Sequence, residues 1–155
     1  MKNPETFIVR IYGIILNVEN EVLLTDEFQL NTKMTKFPGG GLKYGEGTID
    51  CLRREFREEC NGQELKNIRH FYTTDFFQQA FFFEKQQIIS IYYLAELKTP
   101  LRFKVSQKPF DFEKMENGSQ SFRWIKLNEL KTGDLSFPID KFVAGKLKSK
   151  NFENR

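Results

Sequence analysis

A chain of 155 residues suits one domain, expected to span residues 1–155, with a single sizeable core. At 39% hydrophobic and 29% charged residues, the composition is that of a folded globular protein. A net charge of +3 with both signs interspersed argues against a dedicated nucleic-acid binder, which usually carries a clustered basic face.

In chain order, the apolar run "FIVRIYGIILNV" is short, broken by Arg10 and without a small-residue cleavage site. It is neither a signal peptide nor a membrane span, and reads as a core strand. A Glu-Asn turn joins "TFIVRIYGIILNV" to a second strand, "EVLLT". Pro38-Gly39-Gly40-Gly41 follows as a flexible loop whose backbone can approach a ligand without Cβ interference. A helix is expected from Thr48, as N-cap, to Cys60, closed by Asn61-Gly62, which both tolerate the left-handed conformation. At about 100° per residue, Ile49, Leu52, Phe56 and Cys60 share the arc expected to pack on a sheet. Further strands are expected in "IRHFYTTDFF", "QIISIYYLAEL" and "SFRWIKL". A second helix, "PIDKFVAGKLKSK", begins at Pro138, which suits a first helical turn. Its Lys141, Lys146, Lys148 and Lys150 read as a solvated helix end near the negative pole of the dipole. The order of elements predicts an α/β fold, a mixed sheet packed between helices.

Cys51 and Cys60 are the only cysteines. On one helix they stand about 13.5 Å apart, beyond the roughly 7 Å that a disulfide spans. Unpaired thiols point to a reducing compartment, so a cytoplasmic location is expected.

Glu55, Glu58 and Glu59 lie at helical neighbour spacings among Arg53, Arg54 and Arg57. Like charges so placed repel, and partial burial raises one or more of their pKa values. Either the arginines neutralise a solvated face, or a hard cation belongs on it. The glycines just upstream favour the cation, because Mg²⁺ takes a few carboxylates and a carbonyl and leaves room for waters and phosphate oxygens.

The stretch resembles the Nudix box, G-x5-E-x7-R-E-U-x-E-E-x-G-U, with U an apolar residue. Gly40, Glu46, Arg54, Glu55, Phe56, Glu58 and Glu59 match it in order, while Asn61 and Gly62 depart from its last two positions. The resemblance implies a Nudix-type α/β/α sandwich. It implies hydrolysis of a nucleoside diphosphate linked to another group, with Mg²⁺ or Mn²⁺ as cofactor. By analogy Glu55, Glu58 and Glu59 are the catalytic and metal-holding residues, and the Gly39 carbonyl adds a ligand. Gly40, Glu46 and Arg54 support the site, Arg54 by pairing with Glu46. Glu55 is the first candidate base, and Glu113 or Glu116, in the loop before "SFRW", are candidate extra ligands or bases. The partner implied is a small nucleotide or diphosphate, with neither membrane nor nucleic acid. A Nudix-fold module that senses a nucleotide without cutting it is the alternative. An isoprenoid diphosphate isomerase is disfavoured, because it needs a cysteine outside the box.

Outside the motif, Phe71, Phe76 and Phe77 are expected in the core. Phe81, Phe82 and Phe83 cannot all face one side of a strand. They either stack on a substrate base or line a dimer seam, and the seam, hence a homodimer, is favoured. His70 reads as a satisfied structural residue, and Trp124 as core with its indole N–H at a wet edge.

Overall fold

The computed structural model describes residues 5–150. In chain order the elements are β1 (Thr6–Ile15), β2 (Glu21–Gln29), β3 (Thr32–Lys36), β4 (Gly39–Gly41) and α1 (Thr48–Glu59). Then come β5 (Leu65–Thr73), β6 (Gln86–Leu97), β7 (Ser119–Lys126), a 3₁₀ turn (Thr132–Asp134) and α2 (Pro138–Ser149). A mixed four-stranded sheet runs β4-β1-β6-β5, with β1 parallel to β6 and antiparallel to β4. An antiparallel sheet runs β3-β2-β7.

Strand alternation builds two cores. Tyr12 and Ile14 of β1 and Leu16 just after it, with Tyr92 and Leu94 of β6, face α2. Ile11 and Ile15, with Tyr93 and Ala95, face α1. Both faces are covered, which is why β1 reads as an almost unbroken apolar run. Each fully buried side chain contributes about 1.5–3 kcal/mol, and the helices gain their place from this burial. The result is the α/β/α sandwich, with the β layer divided between two sheets.

Several expectations need correction. The glycine stretch is not a flexible loop but β4, whose Gly39, Gly40 and Gly41 pair with Tyr12, Ile11 and Arg10. Neighbouring β3 was not anticipated either, and β2 runs on past "EVLLT" to Gln29. The N-cap of α1 is Gly47, whose N–H donates to the Asp50 carboxylate at 3.2 Å, while the Thr48 hydroxyl bonds to that of Tyr93. Cys51 replaces Ile49 on the buried face, and Ile49 is 39% exposed. The helix is rolled towards β4, with Cys51 Sγ 3.5 Å from the Gly41 carbonyl, which carries Ile49 to the rim. At the other end, Asn61 has φ 53° and the Gly62 N–H donates to the Arg57 carbonyl at 2.9 Å, closing the helix as a Schellman turn.

Phe71 is half-buried against the α2-side core, but Phe77 is 71% exposed and Phe76 only rests on Phe142 of α2. The pairing of β5 with β6 stops at Thr73, so the chain leaves the sheet before reaching them. Trp124 is half-buried against the α1-side core. Both cysteines are buried free thiols, and burial pushes Cys51 up to about 12. Among the described residues no helix is long and apolar enough to cross a membrane.

Candidate active site

Arg54 is the hub of the acidic motif. Its guanidinium grips Glu46 through two bonds of 2.9 and 2.8 Å and donates to the Gly41 carbonyl at 3.0 Å. The remaining nitrogen reaches Glu55 at 3.0 Å and Glu58 at 3.2 Å. One side chain thereby ties β4, the turn after it and α1 into a unit. The Arg54 bonds, helped by the Lys43 backbone N–H, hold Glu46 down at about 2.

Gly40 explains why no side chain is allowed on the strand facing Glu55. A Cβ there would lie 2.3 Å from Glu55 Oε1. Glu55 and Glu59 both line a cavity of about 450 Å³ that runs along β4. Glu59 is half-buried, and burial, helped by Glu27 and Glu55, pushes its carboxyl up to about 7 although Lys36 pulls the other way. Glu58 is 54% exposed at the side chain and stays at the rim with Arg54.

Sequence reasoning missed four polar residues of this cavity wall and its support. Glu27 of β2 faces the box glutamates, and the Lys36 ammonium meets it at 3.2 Å. The Gln120 amide of β7 lies 3.4 Å from both Glu27 and Glu59 and spans the two. Arg10 lines the same wall and donates to the Tyr12 hydroxyl at 2.6 Å. No local pattern singled them out: Thr25, Asp26 and Glu27 are consecutive polar residues of β2, and Met34 is the one apolar residue of β3. Lys36 and Glu27 sit on neighbouring strands with Thr25 opposite Lys36, which makes them a diagonal pair.

Other sequence candidates lie elsewhere. Glu113 and Glu116 are exposed outside the cavity, and Glu116 pairs with Lys114. His70 is exposed, with its Nε2 2.8 Å from the Thr73 hydroxyl. Phe81, Phe82 and Phe83 are exposed too, but they rim the cavity mouth, Phe81 edge-on to Phe137 at 5.8 Å. At the far end the cavity reaches Ser90, Tyr92 and the buried Asp140.

The donor chemistry suits a hard divalent ion: carboxylate oxygens and a backbone carbonyl, with no thiol or imidazole among the residues that line the wall. The gap at Gly40, which a Cβ would fill, leaves the Glu55 carboxylate its place. As placed, Glu55 and Glu58 turn to Arg54 and Glu59 to Gln120. Among the described residues no three acidic, His or Cys side chains are gathered at ligand spacing.

The structure resembles solved Nudix proteins. A MutT structure from work on Aliivibrio salmonicida and Vibrio cholerae is 21% identical with a TM-score of 0.61, covering 92% of this chain and 98% of that one. A NUDIX hydrolase from Nitrosomonas europaea is 15% identical at a TM-score of 0.62, covering 99% and 100%. The MutT protein of Bacillus halodurans is 16% identical at 0.65, covering 92% and 83%. At such identities the likeness is one of fold. No curated protein matches the sequence. The family model of the NUDIX domain matches residues 6–145, from the first residue of β1 to within α2 and across the whole Arg54 hub. The chain therefore belongs to the Nudix family, as a Nudix-type hydrolase.

Proposed function

We propose that this chain is a Mg²⁺- or Mn²⁺-dependent pyrophosphohydrolase. It cleaves a phosphoanhydride in a nucleoside diphosphate linked to a second group, as a single domain in the cytoplasm. One observation carries the reading. Glu27, Glu55 and Glu59 line one cavity along β4, a gathering of negative charge that a bound cation would relieve.

Glu55, Glu58 and Glu59 would hold the ion, while the Gly39 carbonyl, which the motif offers as a further oxygen, accepts a hydrogen bond from Lys36 at 3.5 Å. Glu113 and Glu116 are left out because they lie outside the cavity. When bound, the divalent ion supplies charge neutralisation for the diphosphate and a more acidic attacking water. Glu55 takes the proton as attack on phosphorus begins, a contribution typically worth about 10²–10⁴-fold. Arg54 orients that carboxylate by its 3.0 Å bond. Phe81, Phe82 and Phe83 rim this same cavity, which favours stacking on the substrate base over a dimer seam.

The test is a panel of nucleotide sugars, dinucleoside polyphosphates and nucleoside triphosphates, assayed with Mg²⁺ and with Mn²⁺ beside Glu58→Gln and Glu59→Gln. Both variants should lose at least roughly 10²-fold in kcat while melting cooperatively. Unchanged turnover in either one rejects its assigned role. A wild type that binds nucleotide tightly and cleaves none of the panel makes the protein a sensor instead.

A further inference from the structure

Lys36 has no part in the reading above, yet it stands in the middle of the site. It ends β3, is 6% exposed, and lies in the cavity wall with the tyrosine ring of Tyr12 5.5 Å from its ammonium. Its Nζ is 3.2 Å from Glu27 Oε2 and 3.5 Å from the Gly39 carbonyl oxygen. The second of these is the backbone oxygen that the motif offers to a divalent ion. Glu27 is the counter-charge of this buried ammonium. The Gln120 amide, bonded at 3.4 Å to both Glu27 and Glu59, closes the same group of oxygens from β7.

Glu27, Glu59 and the Gly39 carbonyl make an all-oxygen set, the kind a hard cation takes. An ammonium already donates into it. Two positive charges a few ångströms apart repel strongly in a half-buried site, so a divalent ion cannot settle on the Gly39 carbonyl while Lys36 remains there. We infer that Lys36 is a built-in cation that fills one divalent-ion position of the acidic cluster, so the native protein binds one ion fewer than its oxygens could hold. The inference rests on the metal-dependent reading above. Its consequence is that part of the positive charge facing the diphosphate cannot dissociate, whatever the metal concentration.

Mn²⁺ titration followed by electron paramagnetic resonance of the free ion counts sites without reference to turnover. Lys36→Gln should bind one more Mn²⁺ per chain than wild type, with the first ion held roughly tenfold tighter. Lys36→Arg, which restores the charge, should return to the wild-type count. Equal counts and affinities in wild type and Lys36→Gln overturn the inference. Because removal of a buried partner can unfold a protein, wild-type crystals soaked in manganese provide a second readout. Anomalous signal should appear on Glu55 or Glu59 and not at the Gly39 carbonyl. Manganese bound to that carbonyl with Lys36 displaced sinks the role of Lys36 alone. A wild type with no manganese at either glutamate sinks the metal-dependent reading and the inference with it.

Discussion

Gly39 and Gly40 are neighbours in β4, and the obstacles a methyl group would meet at them differ in kind. At Gly39, where φ is +154°, an added Cβ would lie 2.0 Å from the Ile11 carbonyl oxygen. That oxygen is fixed in β1, so Gly39→Ala should lower stability by about 3 kcal/mol or more, read from urea unfolding. At Gly40 the obstacle is Glu55 Oε1 at 2.3 Å, the free end of a side chain that can swing away. Gly40→Ala should therefore stay within about 1 kcal/mol of wild type and still lose roughly 10²-fold in kcat, because Glu55 is pushed off its place. Equal destabilisation by the two alanines would show that Glu55 is not the yielding partner. The three box glutamates were legible because their spacing is local to one helix. Glu27 and Lys36 were not, because nothing within a few residues of either marks it as belonging to the site.

At the scale of elements, Arg54 decides how the turn after β4 sits on α1. It bonds Glu46, Gly41, Glu55 and Glu58 at once through a planar fork that an ammonium cannot imitate. Arg54→Lys should consequently behave almost like Arg54→Ala, with kcat down by roughly 10²-fold or more and proteolysis newly admitted in the turn around Gly45. Substantial activity in the lysine variant would mean that charge alone suffices. The limits of α1 could be read from the sequence within a residue, since Gly47, Asn61 and Gly62 act on the backbone next to them. The roll of the helix could not. Helical periodicity allows Ile49 or Cys51 to face inward, and contact with β4 selects Cys51. β4 itself escaped notice because three glycines carry no side-chain pattern, and they become a strand only where β1 offers backbone partners.

Across the whole molecule, Asp140 joins α2 to the mixed sheet. The Tyr92 hydroxyl of β6 donates to this carboxylate, which is 2% exposed at the end of the cavity. Burial pushes it up to about 6 from an ordinary 3.8, against the partial relief of Tyr92 and Lys36. Between those values the folded protein holds a proton that the unfolded chain releases, so stability falls as pH rises through the window. The full effect is present above about pH 6 and amounts to about 3 kcal/mol or less. Asp140→Asn should therefore be the more stable protein at pH 7.5 and match wild type at pH 4, in urea melts run with a chelator. A pH-independent difference between the two would refute the assignment. The lysine-rich end of α2 is equally a matter of long-range packing, with Lys146 over the rings of Tyr72 and Phe142. By itself the sequence determined the apolar strands, the extent of α1 and the acidic motif, because hydrophobic alternation, caps and helical spacing act between residues a turn apart. Only the tertiary structure decided that Lys36, Glu27 and Gln120 join that motif and that Phe81, Phe82 and Phe83 rim its cavity. Glu27 and Gln120 are 93 residues apart, and sheet register, set by the burial of both cores together, is what brings such residues face to face.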